Sequence, residues 1–572
     1  MAASSDWPVI APLGDAAVRI ECGPPDDPET ATRVHRLATA LKAQLLRGVT
    51  DVVPAYSVVV VYYHPLEVPT SGQQLAWEQV AQWIERRTHA AVDVGQLPAR
   101  EFVIPVCYGN ELGPDIESVA NQNRLSVDEV IRRHSQAIYK VRAVGFSPGF
   151  PYLEGLPAEL HTPRRATPRT LVPPGSVGIG GGQAGIYPLA SPGGWNLIGR
   201  TPLRIFRVEL SPAALLGTGD VVRFRPIGQA EFHDLQRSEK PPATTTNLES
   251  AVDPVFEVLS PGLQTTIQDL GRPGHQAEGV APGGAMDSLS ARVANLLVGN
   301  APEAPVLEAV QSGPRLRPIR DAVVAVTGAQ VKTIPGWRPL HLPKGQVIDC
   351  SAMAGGARIY LAVSGGFAAD NVLGGCGTDL RAGIGGRHGR PLAAGDRLRL
   401  AGAPSRSTSM QDHQVARWFA APHNLVPRDP EGRLRILRGP QADWFSDAEW
   451  QNFLSAKFVV TRSSNRMGIR LQGPAIEPAT KREMTSEPVV HGAIQVPPDG
   501  QPILLTADRQ TIGGYPMIAC VISADWPALG QLLPGSDVRF VEVTHAEAES
   551  LLGEFEYNLA IVAQAIEQHA KE

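Results

Sequence analysis

Two charged residues, Asp508 and Arg509, lie just after the apolar run Ile503–Leu505. A carboxylate can position a substrate or transfer a proton, and a guanidinium can bind anionic oxygens. A charge beside a buried strand is either paired or functional, because an unpaired buried charge is costly. The simpler interpretation is that Asp508 and Arg509 pair with each other, and the alternative is a binding or catalytic site.

Further polar residues stand in stretches of the same half that otherwise read as buried or tightly turned. A polar side chain in such a stretch needs a partner or a function. The stretches are QTTIQDLGRPG (264–274), PGGAMD (282–287), TDLRAGIGGRHGR (378–390), SSNRMGIRLQG (463–473) and HGAIQVPPDGQPILLTADRQTIGGYP (491–516).

An aromatic stretch, GFSPGFPYLEGLP (145–157), stands out in the first half. Its glycines and prolines are poorly tolerated in helices and central strands, so the composition predicts a stiff loop. Such a loop would present the rings of Phe146, Phe150 and Tyr152. Two interpretations remain open: the rings plug the end of a β-barrel, or they form the wall of a ligand pocket.

A glycine-rich stretch, GSVGIGGGQAGIYPLASPGGW (175–195), follows it and contains the spacing G-x-G-x-x-G. Pro188 and Pro192 forbid the helix that a dinucleotide site of this type requires, which excludes that interpretation. The stretch is predicted to be a second loop, carrying Gln183 and Tyr187, whose backbone N–H groups can hold an anionic oxygen. Tight barrel turns are the alternative.

Several signatures of other enzyme classes do not occur in the sequence. It has no Gly-Lys dipeptide, no methionine followed by lysine, no H-E-x-x-H and no G-x-S-x-G, and its five cysteines are scattered. We therefore expect no phosphate loop of the Walker type, no covalent biotin and no metal site. The net charge of -5 argues against nucleic acid or an anionic membrane as partner, and the overall pattern predicts a cytoplasmic protein.

Periodicity predicts a mainly β protein with α+β parts. Three similar segments, TGDVVRFRPI, AGDRLRLAGA and PGSDVRFVEV, each end a strand-rich block, as if one barrel-closing strand were used three times. The expected units are a small α+β domain (1–100), a β-barrel (101–228), a polar linker (229–253), two more β-barrels (254–403 and 404–543) and a C-terminal amphipathic helix (544–572).

The C-terminal helix is expected to begin at the capping box formed by Thr544 and Glu547. Its apolar face must pack on another surface. Docking on its own domain is the simpler interpretation, and a contact with another copy of the chain, hence a homo-oligomer, is the alternative.

The motifs quoted above resemble a known pair of families. GFSPGFPYLEGLP and the glycine-rich stretch look like the allophanate hydrolase subunit 1 family, also called the KipI family or the family of 5-oxoprolinase B subunits. The segments GLQTTIQDLGRPGHQ, GPQADWF, SNRMGIRLQGP and AIQVPPDGQPILLTADRQTIGGYP resemble its companion, the allophanate hydrolase subunit 2, KipA or 5-oxoprolinase C-subunit family. The resemblance implies cyclophilin-like β-barrels beside the small α+β domain, and kinship with the carboxyltransferase portion of urea carboxylase.

The resemblance also implies a function: ATP-dependent opening of 5-oxoproline to glutamate, together with a separate LamB-like protein, the A subunit of 5-oxoprolinase. Phosphorylating the lactam oxygen turns a poor electrophile into a good one. On this interpretation Arg466 or Arg509 binds anionic oxygens and Asp508 positions the substrate or transfers a proton. The expected substrate-binding residues are Phe150, Tyr152, Gln183, Tyr187 and Gln495.

Two other functions stay open. The first is a biotin-dependent carboxyltransferase of the urea carboxylase type that uses a carrier on another chain. The second is a regulator that binds a histidine kinase, as the name KipI suggests.

Overall fold

The computed structural model describes residues 7–569 except 26, 93–98, 240–253, 405–414, 422–424, 426–428, 481 and 483. Residues 7–239 are called the first half below, and residues 254–569 the second half. No helix within the described residues is long and apolar enough to cross a membrane.

The N-terminal unit is a four-stranded sheet with two helices on one face, consistent with the predicted α+β character. The sheet order is β1-β2-β4-β3. Every residue of β4 is buried, because one face packs on the helices and the other packs on the second half of the chain. The elements are β1 Val9–Pro12, β2 Ala17–Glu21, α1 Pro28–Ala43, β3 Val49–Ala55, β4 Val58–Tyr63 and α2 Ala76–Val92.

The second unit is a closed seven-stranded barrel in the order β10-β7-β6-β13-β5-β12-β9. Helix α4 begins at the capping residue Ser126, whose hydroxyl accepts from Glu129 N. The elements are β5 Glu101–Tyr108, α3 Ile116–Gln122, α4 Val127–Gln136, β6 Tyr139–Val144, β7 Pro151–Glu154, β8 Arg169–Val172, β9 Ser176–Gly180, β10 Gln183–Ile186, β11 Ser191–Gly193, β12 Asn196–Arg200 and β13 Val221–Pro226.

Two segments predicted to be loops contribute strands to this barrel. The aromatic stretch contains β7, which pairs with β6 and β10, and the glycine-rich stretch contains the hairpin of β9 and β10. The prediction holds at the turns, where Gly149, Gly155, Gly175 and Gly181 have positive φ. It was wrong for the strands, in which glycine serves packing. A Cβ on Gly180 would lie 2.7 Å from the Trp195 ring, so only glycine lets the ring lie against the strand.

The third unit begins the second half and consists of two sheets around one core. Their orders are β20-β17-β14-β22 and β15-β16-β21-β18-β19. The elements are β14 Pro254–Ser260, β15 Gln264–Gln268, α6 Ser288–Leu297, β16 Val306–Val310, β17 Arg315–Pro318, β18 Ala322–Val331, β19 Pro339–Leu342, β20 Ile348–Asp349, β21 Met353–Val363 and β22 Arg397–Arg399.

These two sheets do not close into the single barrel that the sequence suggests for this unit. The free edge of β15 is occupied by the glycine-rich segment between β21 and β22. Thr378 N donates to Ile267 O at 2.9 Å, and Leu392 N donates to Thr265 O at 2.8 Å. The backbone of this irregular segment therefore makes hydrogen bonds with β15 that a further strand would otherwise make.

The fourth unit is an eight-stranded, nearly closed barrel in the order β31-β24-β25-β28-β27-β30-β23-β32. Its two terminal strands, β31 and β32, follow each other directly in the chain. The elements are β23 Leu434–Arg438, α7 Asp447–Ser455, β24 Phe458–Val460, β25 Gly468–Gln472, β26 Glu487–Pro488, β27 Ala493–Gln495, β28 Ile503–Leu505, β29 Ile512–Gly513, β30 Met517–Val521, α8 Trp526–Gly530, β31 Asp537–Val538 and β32 Phe540–Glu542.

The three similar segments singled out in the sequence occupy comparable places. Strands β13, β22 and β32 each pair with the first strand of their own unit. The pairing is parallel for β13 with β5 and for β32 with β23, and antiparallel for β22 with β14. The sequence repeat therefore marks the strand that returns to the start of each β unit.

One helix lies at the start of the predicted linker, and another is the last element of the structure. Helix α5, Gln229–Ser238, occupies the first part of the predicted linker and buries Phe232; the sequence analysis missed it, and most of the remaining linker lies outside the described residues. The final helix α9, His545–His569, begins at the predicted capping box. Its first turns pack Ala548 and Leu551 on Leu437, Ile522 and Ala524 of the fourth unit, the barrel that it follows. Its later turns dock on α6, β18 and β21 of the third unit.

Candidate functional site

A cavity of about 380 Å³ lies where the two halves of the chain meet. The first half contributes the turn after β1 and the end of β4. The second half contributes the loop before α6, residues 490–491, 509 and 521–526, and one side of α9. Residues far apart in sequence therefore form one concave site, which is typical of ligand pockets between domains.

The two halves are held together around this cavity by a shared apolar core and by buried hydrogen bonds. The core joins residues such as Val60 and Tyr152 of the first half to Val489 and Leu505 of the second. Tyr62 Oη donates to the carbonyl of Val489 at 3.0 Å. The other buried or half-buried links are Gln276 N to Asp51 Oδ2 at 2.6 Å, Ser523 N to Asp15 Oδ2 at 2.8 Å and Arg19 Nε to Glu487 Oε2 at 2.7 Å.

Arg509 lines the cavity and is only 4% exposed. Its Nη2 donates to Gln276 Oε1 at 2.7 Å and its Nε to Val489 O at 3.3 Å. Among the described residues no carboxylate lies within ion-pair distance of Arg509, and Nη1 donates to none of them. Burial lowers the pKa of this guanidinium to about 10, and it remains a cation at neutral pH.

His491 lines the same cavity and stacks on Trp526, with ring centroids 4.4 Å apart and planes 10° from parallel. Burial is the main reason that the pKa of its imidazole falls to about 3, and the positive charges of Arg509 and Arg466 act in the same direction. The ring is therefore neutral at pH 7. Its Nε2 is buried and has no hydrogen-bond partner among the described residues.

Asp508 points away from Arg509 and pairs with Arg466, which corrects the interpretation that neighbouring charges pair with each other. The turn after β28 causes this, because Asp508 N donates to Arg466 O and Arg509 N donates to Thr506 O. Asp508 accepts from Arg466 Nε at 2.7 Å and from Nη2 at 2.9 Å. The two consecutive side chains thus serve different sites.

Arg466 has all three of its guanidinium nitrogens in use. Besides Asp508, it donates to Glu308 Oε1 at 2.5 Å and to Gly284 O at 2.7 Å. Burial disfavours the charge of Glu308, but Arg466 and Arg358 outweigh it and hold the Glu308 pKa below its usual value. Arg466 therefore joins the third and fourth units, and four of its five N–H donors are used by the described residues.

The predicted substrate-binding aromatics lie together in the first barrel, outside the residues that line the cavity. Phe150 contacts Tyr152, Tyr187 and Trp195 edge to face, with centroids 5.0, 5.2 and 5.5 Å apart. Gln183 Nε2 donates to Tyr56 Oη at 2.7 Å. The aromatic cluster forms part of the core shared by the two halves. Its part in substrate binding stays a prediction.

Gln495 is also separate from the cavity: its Nε2 donates to Tyr515 O at 3.1 Å within the fourth unit. The sequence analysis missed His491, Gln276 and Asp15. The signal for His491 was present, because it begins one of the polar stretches. Nothing local marks Asp15, whose partner Ser523 is 508 residues away.

Within the described residues, no group of three or more His, Cys, Asp and Glu side chains is arranged to hold a metal ion. The part of the cavity beside Arg509 and His491 is called its inner end below. It offers the guanidinium of Arg509, which no carboxylate of the described residues neutralises, and the neutral imidazole of His491. Such a pair can bind an anionic group and hydrogen-bond a neutral polar one.

The fold and the cavity define a mainly β protein whose two barrel-containing halves build a common interfacial site. Comparison with known proteins identifies this class. Residues 8–216 match the family model described as carboxyltransferase domain, subdomain C and D, and residues 278–542 match carboxyltransferase domain, subdomain A and B. The chain belongs to this carboxyltransferase-domain family, and its relatives include the B and C subunits of 5-oxoprolinase.

Individual relatives cover both halves. The chain is 38% identical over 301 residues to the C subunit of 5-oxoprolinase from Escherichia coli, covering 51% of the chain and 93% of the relative. It is 40% identical over 227 residues to the B subunit of 5-oxoprolinase from Bacillus subtilis, covering 39% and 95%. A urea amidolyase of Lachancea kluyveri is 33% identical over 319 residues, 52% of the chain but 17% of that relative.

A solved crystal structure, that of TTHA0988, resembles nearly the whole chain. It superposes with a TM-score of 0.74 at 34% identity and covers 92% of this chain and 99% of its own. The arrangement of both halves in one chain therefore has a counterpart of almost the same extent.

Proposed function

We propose that this chain is a fusion of the B and C components of an ATP-dependent 5-oxoprolinase. In this role it acts with a LamB-like A component, a separate protein, to open 5-oxoproline to glutamate. The observation that carries the proposal is the cavity between the halves, lined from both and containing Arg509, which has no carboxylate partner among the described residues. A chain that contains counterparts of both relatives would build, in one molecule, the interface that two separate proteins otherwise form.

The chemistry of the reaction suits this site. The lactam of 5-oxoproline is stabilised by resonance, so ATP supplies a phosphoryl group that makes the ring carbonyl reactive toward water. Arg509 offers one cation, which is too little for a triphosphate; we therefore place the nucleotide at a surface completed by the LamB-like component.

The remaining site residues have positioning roles on this proposal. Asp508 and Arg466 hold the loop of residues 282–284 and the turn carrying Arg509 in register. The aromatic cluster of Phe150, Tyr152 and Tyr187 supports the barrel wall against which the second half packs. Assembly into a homo-oligomer remains a prediction that native mass measurement would test.

The test is an assay of glutamate formation from 5-oxoproline and ATP by the purified chain, with and without the LamB-like component. We expect turnover only when both proteins and ATP are present. Absence of glutamate under all these conditions, with a folded chain, contradicts the proposal.

A carboxyltransferase function is the second candidate, supported by the family description and by the urea amidolyase relatives. It requires biotin on another chain, since we expect none on this one. Streptavidin blotting tests that expectation. Transfer of the carboxyl group from a carboxybiotinylated carrier protein to urea, in the absence of 5-oxoproline turnover, would favour this candidate.

A further inference from the structure

The cavity contains one cation that the protein itself does not neutralise. Arg292, at the α9 side of the cavity, pairs with Glu556 at 2.6 Å, whereas Arg509 at the inner end has only neutral acceptors among the described residues. A buried guanidinium without a carboxylate costs free energy that an anionic ligand can recover. The contrast within one cavity marks the inner end as the place for an anion.

A neutral hydrogen-bonding group lies beside this cation. His491 is close enough for Arg509 to lower the imidazole pKa, and its buried Nε2 has no partner among the described residues. Nε2 is enclosed by protein, so the ligand contact falls to Nδ1, which is not enclosed and also has no hydrogen-bond partner among the described residues. A neutral imidazole can donate to a carbonyl oxygen or accept from an N–H group, depending on its tautomer.

We infer that the inner end of the cavity is a specificity subsite in which Arg509 binds the carboxylate of a small cyclic amide and His491 hydrogen-bonds its amide edge. The flat ring of Trp526 holds His491 in place by stacking. Gln276 and Val489 O fix the guanidinium, leaving Nη1 for the ligand. This inference rests on the proposed function. It adds how the site would distinguish an anionic lactam from neutral urea.

Calorimetric titrations with three small molecules test the contacts of Arg509 and His491 separately. The full chain is titrated alone and together with the LamB-like component. L-5-oxoproline has both groups, 2-pyrrolidinone lacks the carboxylate, and cyclopentanecarboxylate lacks the amide. We expect 5-oxoproline to bind the wild-type chain at least about 10-fold more tightly than either analogue, the size of one charge-assisted hydrogen bond.

Two variants assign the preference to residues. Arg509→Met should weaken 5-oxoproline binding about 10- to 100-fold and abolish its advantage over 2-pyrrolidinone. His491→Phe keeps a ring against Trp526; it should abolish the advantage over cyclopentanecarboxylate and leave binding of that analogue unchanged. Arg438→Met removes a cation of the same half that pairs with Glu542 at the surface, and it should bind like the wild type.

The folding of each variant is checked by circular dichroism, independently of its binding. If Arg509→Met does not fold by circular dichroism, Arg509→Lys keeps the charge but loses the planar fork, and it should show a smaller loss in the same direction. No 5-oxoproline binding to either the wild-type chain or its complex overturns the inference, as does an unchanged preference in the variants. Glutamate formation that persists alongside such a result leaves the proposed function standing. Arg509-dependent binding without turnover supports the subsite and contradicts the proposed function.

Discussion

Two buried arginines of the second half show how burial alone fails to identify a functional residue. Arg466 and Arg509 are 7% and 4% exposed. Arg466 is surrounded by Asp508 and Glu308, which raise its pKa despite burial, whereas burial lowers that of Arg509. The first arginine pairs with two carboxylates, and the second has none within ion-pair distance among the described residues. The difference lies in their partners.

The ion pair of Asp508 and Arg466 should be important for stability. Asp508→Asn leaves the Arg466 guanidinium with one carboxylate instead of two in a buried setting. Because removing one partner of a buried pair strands the other charge, we expect a loss of about 3 kcal/mol. Guanidinium chloride denaturation, followed by fluorescence, measures it.

The matched control is Asp537→Asn, which removes the same charge from a pair with Lys457 at 2.8 Å in which both side chains are about half exposed. Exposed pairs contribute about 0 to 1 kcal/mol, so this variant should behave like the wild type. Equal losses in the two variants would show that the buried pair has no special role.

Asp15 should make stability depend on pH. Burial raises its pKa to about 6 from 3.8. The folded chain therefore holds this proton more tightly than the unfolded chain, and its contribution to stability is full below about pH 4 and is lost as pH rises through 6. A shift of this size corresponds to about 3 kcal/mol.

Asp15→Asn cannot ionise, and it should remove this slope. As the pH rises from 4 to 7, we expect the denaturation midpoint of the variant to rise relative to that of the wild type. A difference that is constant over this range would mean that Asp15 ionises in the folded chain as readily as in the unfolded chain.

At the scale of elements, the first barrel pairs glycines with aromatic rings. The hairpin of β9 and β10 has glycine where Trp195 and Phe150 approach: a Cβ on Gly185 would lie 2.9 Å from atoms of both rings. Rings and strands pack at distances that other residues would prevent. The two sequence stretches that looked like separate loops are therefore two sides of one packed cluster.

Gly180→Ala tests this packing. Its new methyl group would lie 2.7 Å from the Trp195 ring, which must shift, so we expect a loss of about 1–3 kcal/mol and altered tryptophan fluorescence. Gly553→Ala in α9 is the control: a Cβ there meets nothing within 4 Å, and alanine favours a helix by up to about 1 kcal/mol. Loss of stability in both variants would contradict the packing argument.

At the scale of the whole molecule, the halves are coupled by a core rather than by the linker. Twenty buried residues from both halves form one cluster. Strand β4 is buried on both faces only because the second half covers one of them. The proposed function depends on this coupling, since the cavity exists only when the halves are docked.

Cleaving the segment 240–253 at an inserted protease site should leave the halves associated, because the shared core would otherwise be exposed to water. Size-exclusion chromatography after cleavage should give one peak containing both fragments. Separate peaks with unchanged glutamate formation would contradict a site shared between the halves.

Local patterns in the sequence were sufficient for several elements. The α+β character of the N-terminal unit and the capping box at Thr544 were predicted, because periodicity and capping depend on residues within one or two turns. Family membership could also be predicted, since the motifs are long. The strands within the two stretches were missed because glycine and proline indicate backbone freedom without showing what packs against it.

By itself, the sequence determined the mainly β class, the repeated closing strand and the candidates Asp508, Arg509 and Arg466. Only the tertiary structure decided that Arg466 pairs with two carboxylates, that Arg509 has none within ion-pair distance in the described part of the chain, and that Asp15 and His491 share its cavity. The physical reason is that periodicity reports which face of an element is buried. It does not report which distant surface covers that face, and the charge of a buried site depends on that surface.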